Sequence, residues 1–139
     1  MMSGAEDQPY VGLRYDEMPD LWDGFARLVR VGLGIRAFGV NLMELPPDYE
    51  TAAHDERESG QEELYVALAG SGAVVVGEDR RRLELDPERA VRVSPEVTRT
   101  LLSGAHGMRV LIVGGTPGRA YEPLPWSSGS QDDDADVAT

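Results

Sequence analysis

The chain has 139 residues, no cysteine and a net charge of −12 at pH 7. This length suits one domain with a core of its own, and the lack of cysteine excludes disulfides, thiolate metal ligands and a cysteine nucleophile. The negative charge repels phosphate backbones, so we expect no nucleic-acid partner. No apolar run reaches the roughly 20 residues of a membrane span, and residues 1–8 carry no signal-peptide core. We therefore expect a cytoplasmic protein without a membrane partner.

The two ends of the chain differ in composition from the part between them. Residues 1–9 and 127–139 are polar or acidic, which predicts disordered ends. A single domain is predicted over residues 10–126. It begins with one short N-terminal helical turn within residues 16–24, a segment too short and too interrupted for a longer helix.

Short apolar runs separated by turn signals follow from residue 25 onward. The strands that they predict are 28–33, 35–45, 62–69, 73–76, 81–85, 90–93, 97–102 and 108–113. Glycines predict a turn at 70–72 and a tight connection at 104–107. About eight or nine short strands without a long amphipathic helix predict an all-β protein, either a sandwich or a closed barrel.

An ordered set of polar residues follows the second of these runs. His54-Asp55-Glu56 is followed after six residues by Glu63, and after six more by Gly70. This order resembles the first motif of the cupin family, and residues 88–103 occupy the place of the second motif. The resemblance covers roughly residues 36–125 and is closest to small bacterial single-domain cupins. It implies a double-stranded β-helix, also called a jelly-roll barrel.

The resemblance also implies a metal site, which this sequence changes. Cupins of this type hold a divalent metal through three histidines and one glutamate, and these positions fall here at His54, Glu56, Arg99 and Glu63. Arginine cannot ligate a metal, because it has no lone pair and does not deprotonate. Its planar donors do suit carboxylates. We therefore predict that Arg99 replaces the charge of the metal and that no cofactor is bound; any divalent metal would be left with His54, Glu56 and Glu63.

The alternation of side chains along extended segments predicts which residues share a face. His54 and Glu56 lie on one face of their segment, and Glu63 and Tyr65 lie on one face of the next strand. In the cupin register these faces look into the barrel together with Arg99. The predicted ligand pocket therefore consists of His54, Glu56, Glu63, Tyr65 and Arg99.

Several functions are compatible with such a pocket. The leading interpretation is a small-molecule-binding cupin without the usual metal. The alternatives are a metal-dependent oxygenase or isomerase (Fe, Mn, Zn or Ni), a metal-free isomerase, epimerase or cyclase with His54 or Glu63 as the base, and a structural or regulatory partner. A ligand carboxylate suits a free Arg99, whereas a ligand with donors suits the glutamates. Whether the protein is an enzyme stays open.

The strand at 62–69 predicts an assembly. Its Leu64, Val66 and Leu68 are apolar on one face, while the other face carries the pocket residues. Both faces of such a strand need cover. Together with the family resemblance, this pattern predicts a homodimer.

Overall fold

The computed structural model describes residues 4–128, whose main elements are the strands of an antiparallel sheet. Its strands are β1 (Asp20–Leu21), β2 (Ala26–Arg27), β3 (Gly39–Leu45), β4 (Glu62–Val76), β5 (Arg81–Leu85), β6 (Ala90–Val93) and β7 (Arg99–Gly115). One α-helix, α1 (Val29–Leu33), and 3-10 helices at Ala5–Asp7, Tyr15–Glu17 and Pro125–Ser127 complete the described part. The predicted all-β class is confirmed. None of these helices is long and apolar enough to cross a membrane.

The two long strands β4 and β7 hold the sheet together. They pair with each other from Glu62↔Gly115 to Val76↔Arg99, with register shifts where β4 passes from residue 67 to residue 72. On its other edge, β4 pairs with β6 before this irregularity and with β5 after it. β3 pairs with the second half of β7. The ribbon of β4 and β7 therefore pairs with β3 and β6 on one side of the irregularity and with β5 on the other.

Two predicted turns are wrong, because both lie inside these long strands. The glycines at 70–72 and 104–107 mark the bend of the ribbon, not chain reversals. Gly70 and Gly107 have φ of 73° and 75°, and a Cβ on Gly70 would collide with the carbonyl of Gly107. A turn and a bulge both need glycine where φ is positive, so the local pattern cannot separate the two. These two mergers remove two of the predicted strands, whereas β1 and β2 were not predicted; the described residues hold seven strands in place of eight or nine.

The predicted strand at 28–33 is also wrong. Val29–Leu33 forms α1, which ends at Gly34 with φ of 73°. Its Val29 packs with Met18 and with Val40 and Leu42 of β3. A short apolar run has no decisive period, and the glycine at its end serves a helix as well as a strand. The helical turn predicted within residues 16–24 is largely wrong, because the 3-10 helix Tyr15–Glu17 ends at the start of this range and Asp20–Leu21 forms β1.

The ends that we predict to be disordered lie partly outside the described residues, namely at 1–3 and 129–139. Within 4–9, the helix Ala5–Asp7 forms, and the carbonyl of Glu6 accepts a hydrogen bond from Arg36 at 2.9 Å. At the other end, Ser127 is buried. The described fold therefore extends beyond the predicted 10–126 on both sides.

The main hydrophobic core positions the polar site. It combines inward-facing residues of the sheet, among them Met43, Tyr65, Leu101 and Val110, with Trp126 from the last 3-10 helix. Tyr65 therefore belongs both to this core and to the predicted pocket.

Candidate functional site

Arg99 is the largest fully buried side chain among residues 4–128, with 1% of its surface exposed. It begins β7, where its backbone N–H donates to the carbonyl of His54 at 2.8 Å and its carbonyl accepts from His54 N–H at 3.1 Å. This isolated bridge places the His54 segment beside the start of β7. A guanidinium at such depth must be compensated by the protein.

Three groups surround the guanidinium of Arg99. Nη1 donates to the carbonyl of Val97 at 2.7 Å, and Nε donates to the hydroxyl of Tyr65 at 3.2 Å. Nη2 lies 3.3 Å from Oε1 of Glu63, and the Tyr65 hydroxyl donates to the same Glu63 oxygen at 2.8 Å. The predicted proximity of Arg99 to Glu63 is therefore present, and the guanidinium is enclosed by the protein.

Glu56 and His54, together with Glu63, form a group of three side chains whose possible metal-ligand atoms converge. Glu56 is 7% exposed; its Oε1 accepts from the hydroxyl of Ser59 at 3.0 Å, and its Oε2 lies 3.2 Å from Nε2 of His54. His54 Nε2 lies 4.0 Å from Oε1 of Glu63. One ligand atom from each of His54, Glu56 and Glu63 lies within 4.8 Å of the other two.

The electrostatics of this group raise the pKa of the Glu63 carboxyl. Burial raises the pKa of the Glu63 carboxyl above its ordinary value, the charge of Glu56 raises it further, and Arg99, Tyr65 and His54 offset only part of the increase. Burial and the charge of Glu63 also raise the pKa of the Tyr65 hydroxyl well above its ordinary value. Tyr65 therefore stays a hydrogen-bond donor, and the positive charge of Arg99 is not enough to cancel two buried carboxylates.

The metal site implied by the resemblance fits these residues only in part. Imidazole and carboxylate groups are ligands that divalent transition-metal ions bind, and one imidazole and two carboxylates converge here. The fourth position is Arg99, which cannot ligate and whose guanidinium lies 3.3 Å from a Glu63 oxygen. A divalent ion would share that oxygen with a fixed positive charge. The four residues therefore do not fit the resident metal of the family.

A cavity of about 610 Å³ opens between two segments of the chain, residues 54–61 and residues 116–126. Gln61 joins the two walls by donating to the carbonyl of Glu122 at 3.0 Å, and Thr116 does so by donating to the carbonyl of Ser59 at 3.1 Å. The charged groups on the walls are mostly acidic: Asp55, Glu56, Glu58 and Glu122 against Arg119 and the imidazole of His54.

The predicted site residues take different positions relative to this cavity. His54 and Glu56 line it, whereas Glu63 lines a smaller neighbouring cavity, and Tyr65 and Arg99 contact Glu63 from behind. Of the two candidate bases, His54 is the one on the wall of the large cavity. A general base must reach the proton that it abstracts.

Sequence reasoning missed the wall formed by residues 116–126. This wall has no regular strand that a periodic pattern reveals, and it is held by side chain–backbone contacts such as that of Gln61. The available signal was Trp126, a large apolar residue in a proline-containing polar segment. It is 5% exposed and stacks on Trp22 with ring centroids 5.7 Å apart.

Comparisons with known proteins identify the fold. No protein-family model matches the sequence, and no curated protein matches it. A cupin protein from Bacteroides fragilis superposes with a TM-score of 0.64 at 18% identity, covering 88% of this chain and 97% of its own. An RmlC-like cupin from Desulfovibrio desulfuricans follows at TM-score 0.51 and 16% identity, covering 58% of this chain and 73% of its own.

A third solved structure is the cupin_2 domain of an XRE-family transcriptional regulator from Enterobacter cloacae. It superposes with a TM-score of 0.51 at 16% identity, covering 60% of this chain and 86% of its own. Identities this low show a shared fold alone. The predicted jelly-roll barrel is confirmed.

The raised pKa of Glu63 predicts a pH-dependent stability. Since the folded protein holds this proton more tightly than the unfolded chain, the favourable contribution is present below about 4.5 and is lost as pH rises through the raised pKa. We expect wild type to lose stability relative to Glu63→Gln across that window, by up to about 1.4 kcal/mol per pH unit. Urea unfolding from about pH 4 to 8 measures this difference.

Glu62→Gln, one residue earlier on the opposite face of β4, controls for the loss of a charge at a half-buried position of the same strand. A difference between wild type and Glu63→Gln that stays constant or grows in favour of wild type with rising pH would contradict the assignment.

Proposed function

Because this chain has the cupin fold, we propose that it binds a small molecule in its 610 Å³ cavity without the resident metal of the family. The observation that carries this proposal is the buried guanidinium of Arg99, 3.3 Å from Glu63. It supplies a positive charge beside Glu63, as a divalent ion does in the metal-binding members of the family.

The ligand class follows from which charges face the cavity. Arg99 is enclosed by Val97, Tyr65 and Glu63, so a ligand carboxylate does not reach it. The walls instead present carboxylates, and Glu56 is held in place by Ser59. Hydrogen bonds to charged groups are the strongest that such a wall can make. The ligand therefore carries donors, and an amine is the simplest such group.

The C-terminal end of the cavity wall is largely apolar. Leu124 and Trp126 lie on it together with two prolines of the same segment. An apolar body with an amine head therefore matches both parts of the wall.

Three probes with one cyclohexyl body and different heads test this ligand class: cyclohexylmethylamine, cyclohexylmethanol and cyclohexanecarboxylate. We expect the amine to bind about tenfold more tightly than the carboxylate, because a charged hydrogen bond replaces a charge repulsion. Isothermal titration calorimetry measures the affinities, and binding of the amine weakens as salt rises.

Matched variants locate the binding. Glu56→Gln and Glu122→Gln are expected to lower the affinity for cyclohexylmethylamine. Glu78→Gln, in an exposed hairpin turn away from the cavity, should leave that affinity unchanged. Tighter binding of the alcohol or the carboxylate overturns the ligand class but keeps the cavity as a binding site. No binding of any probe overturns the proposed function itself.

A metal-dependent enzyme is the second candidate, and one observation favours it. His54, Glu56 and Glu63 still offer three ligand atoms within 4.8 Å of one another. A site of three protein ligands with water in the remaining places is typical of catalytic metal centres. In that case Glu63 exchanges its contact with Arg99 for the ion.

Arg99→His separates the two candidates. The substitution removes the buried cation and supplies an imidazole at the fourth ligand position. We expect wild type to retain no stoichiometric metal after dialysis against manganese, iron, nickel or zinc, and Arg99→His to retain close to one ion per chain. Elemental mass spectrometry of untagged protein measures the metal content.

Arg99→Gln is the control, since it removes the charge without adding a ligand. Stoichiometric metal in wild type that is lost in His54→Ala would decide for the metal-dependent candidate.

We also propose that the protein is a homodimer through the outer face of β4. Leu64 and Leu68 are 39% and 40% exposed, and Phe38 beside them is 40% exposed. Leu64 and Phe38 line a shallow groove of about 540 Å³ on this face. A second copy of the chain is the cover that fits the family pattern.

Size-exclusion chromatography with light scattering is expected to give twice the mass of the chain. Leu64→Glu should shift the protein toward the monomer, because it places a charge in the apolar contact. Leu13→Glu, at an exposed leucine that does not line the groove, is the control. A wild-type monomer at all concentrations contradicts the proposal.

A further inference from the structure

A second, much smaller cavity lies next to the one described above. Its volume is about 20 Å³, and Asn41 of β3, Glu63 of β4 and Trp126 of the last 3-10 helix contribute to its wall. Gln61 and Leu124 line both cavities, as does Trp126. Three separate parts of the chain therefore meet around a space of atomic size.

Two of these side chains carry polar atoms that no group within residues 4–128 satisfies. The Oδ1 atom of Asn41 and the Nε1 atom of Trp126 are both buried and lack a hydrogen-bond partner. Asn41 is 8% exposed and Trp126 is 5% exposed. Buried polar atoms are rarely left unpaired in native proteins, and here one acceptor and one donor border the same cavity.

We infer that this cavity is a binding site for one hydroxyl group, provided by a water molecule or by a ligand. The group accepts a hydrogen bond from the Trp126 indole and donates to Asn41 Oδ1. A space of roughly 10–15 Å³ already admits one water, provided that two to four polar partners are present. Both conditions are met.

The site joins the C-terminal wall of the large cavity to the buried carboxylates. Trp126 belongs to that wall, and Glu63 belongs to the group around Arg99. A hydroxyl in the small cavity links this wall, through Trp126, to Asn41, which lines the same cavity as Glu63. The water form of this site does not depend on the proposed ligand.

Water-selective nuclear Overhauser spectroscopy of ¹⁵N-labelled protein tests the inference. The chain has two tryptophans, so Trp22→Phe assigns the indole signals and the partly exposed Trp22 serves as the internal control. A long-lived water contact is expected at the Trp126 indole hydrogen. It should disappear in Asn41→Leu, which removes the acceptor and fills the space.

The two sources of the hydroxyl are separated by adding cyclohexylmethanol. If the ligand provides the group, the water contact gives way to a contact with the alcohol, and cyclohexylmethylamine does not produce it. If water provides it, the water contact persists with both probes. Absence of any water or alcohol contact at Trp126, or a contact that survives in Asn41→Leu, overturns the inference.

A crystal structure of wild type at about 1.5 Å resolution gives an independent reading that does not require the variant to fold. One density peak within hydrogen-bond distance of Asn41 Oδ1 and Trp126 Nε1 is expected. The absence of such a peak, with the space between the two side chains closed, would overturn the inference.

Discussion

The enclosed guanidinium of Arg99 is the constraint on which the site depends. A cation with 1% exposure is tolerated only beside groups that compensate it. The Tyr65 hydroxyl and the Val97 carbonyl accept its hydrogen bonds, and the Glu63 carboxyl lies beside it at ion-pair distance. The backbone bridge between Arg99 and His54 then brings the next segment to the same place. The same few contacts therefore decide where the carboxylates lie and which of them faces the large cavity.

The sequence predicts those parts of the fold that local chemistry determines. The strands β5 and β6 begin and end where apolar runs and turn residues place them, and the alternation along β4 correctly sets Glu63 and Tyr65 on one side. The proximity of Arg99 to Glu63 followed from a family pattern joined to the chemistry of arginine. These features depend on neighbours in sequence or on a known register.

The features that the sequence did not reveal depend on distant contacts. The glycines near residues 70 and 107 allow close approach of two strands that are far apart in sequence, so a bend there looks locally like a turn. The run at 28–33 becomes a helix because β3 and Met18 provide a surface for it. The wall at 116–126 is held by single contacts from Gln61 and Thr116, which no periodic pattern records.

The alternation of β4 has a consequence for communication between subunits. Leu64 faces outward and its two neighbours, Glu63 and Tyr65, face the buried site, so one strand carries both the proposed subunit contact and the carboxylate of the pocket. If the proposed ligand changes the free energy of the proposed association by shifting this strand, association changes the ligand affinity by the same factor. Cooperativity between two copies would then need no chain of intermediate residues, since Leu64 of the proposed subunit contact and Glu63 of the buried site are adjacent on one strand.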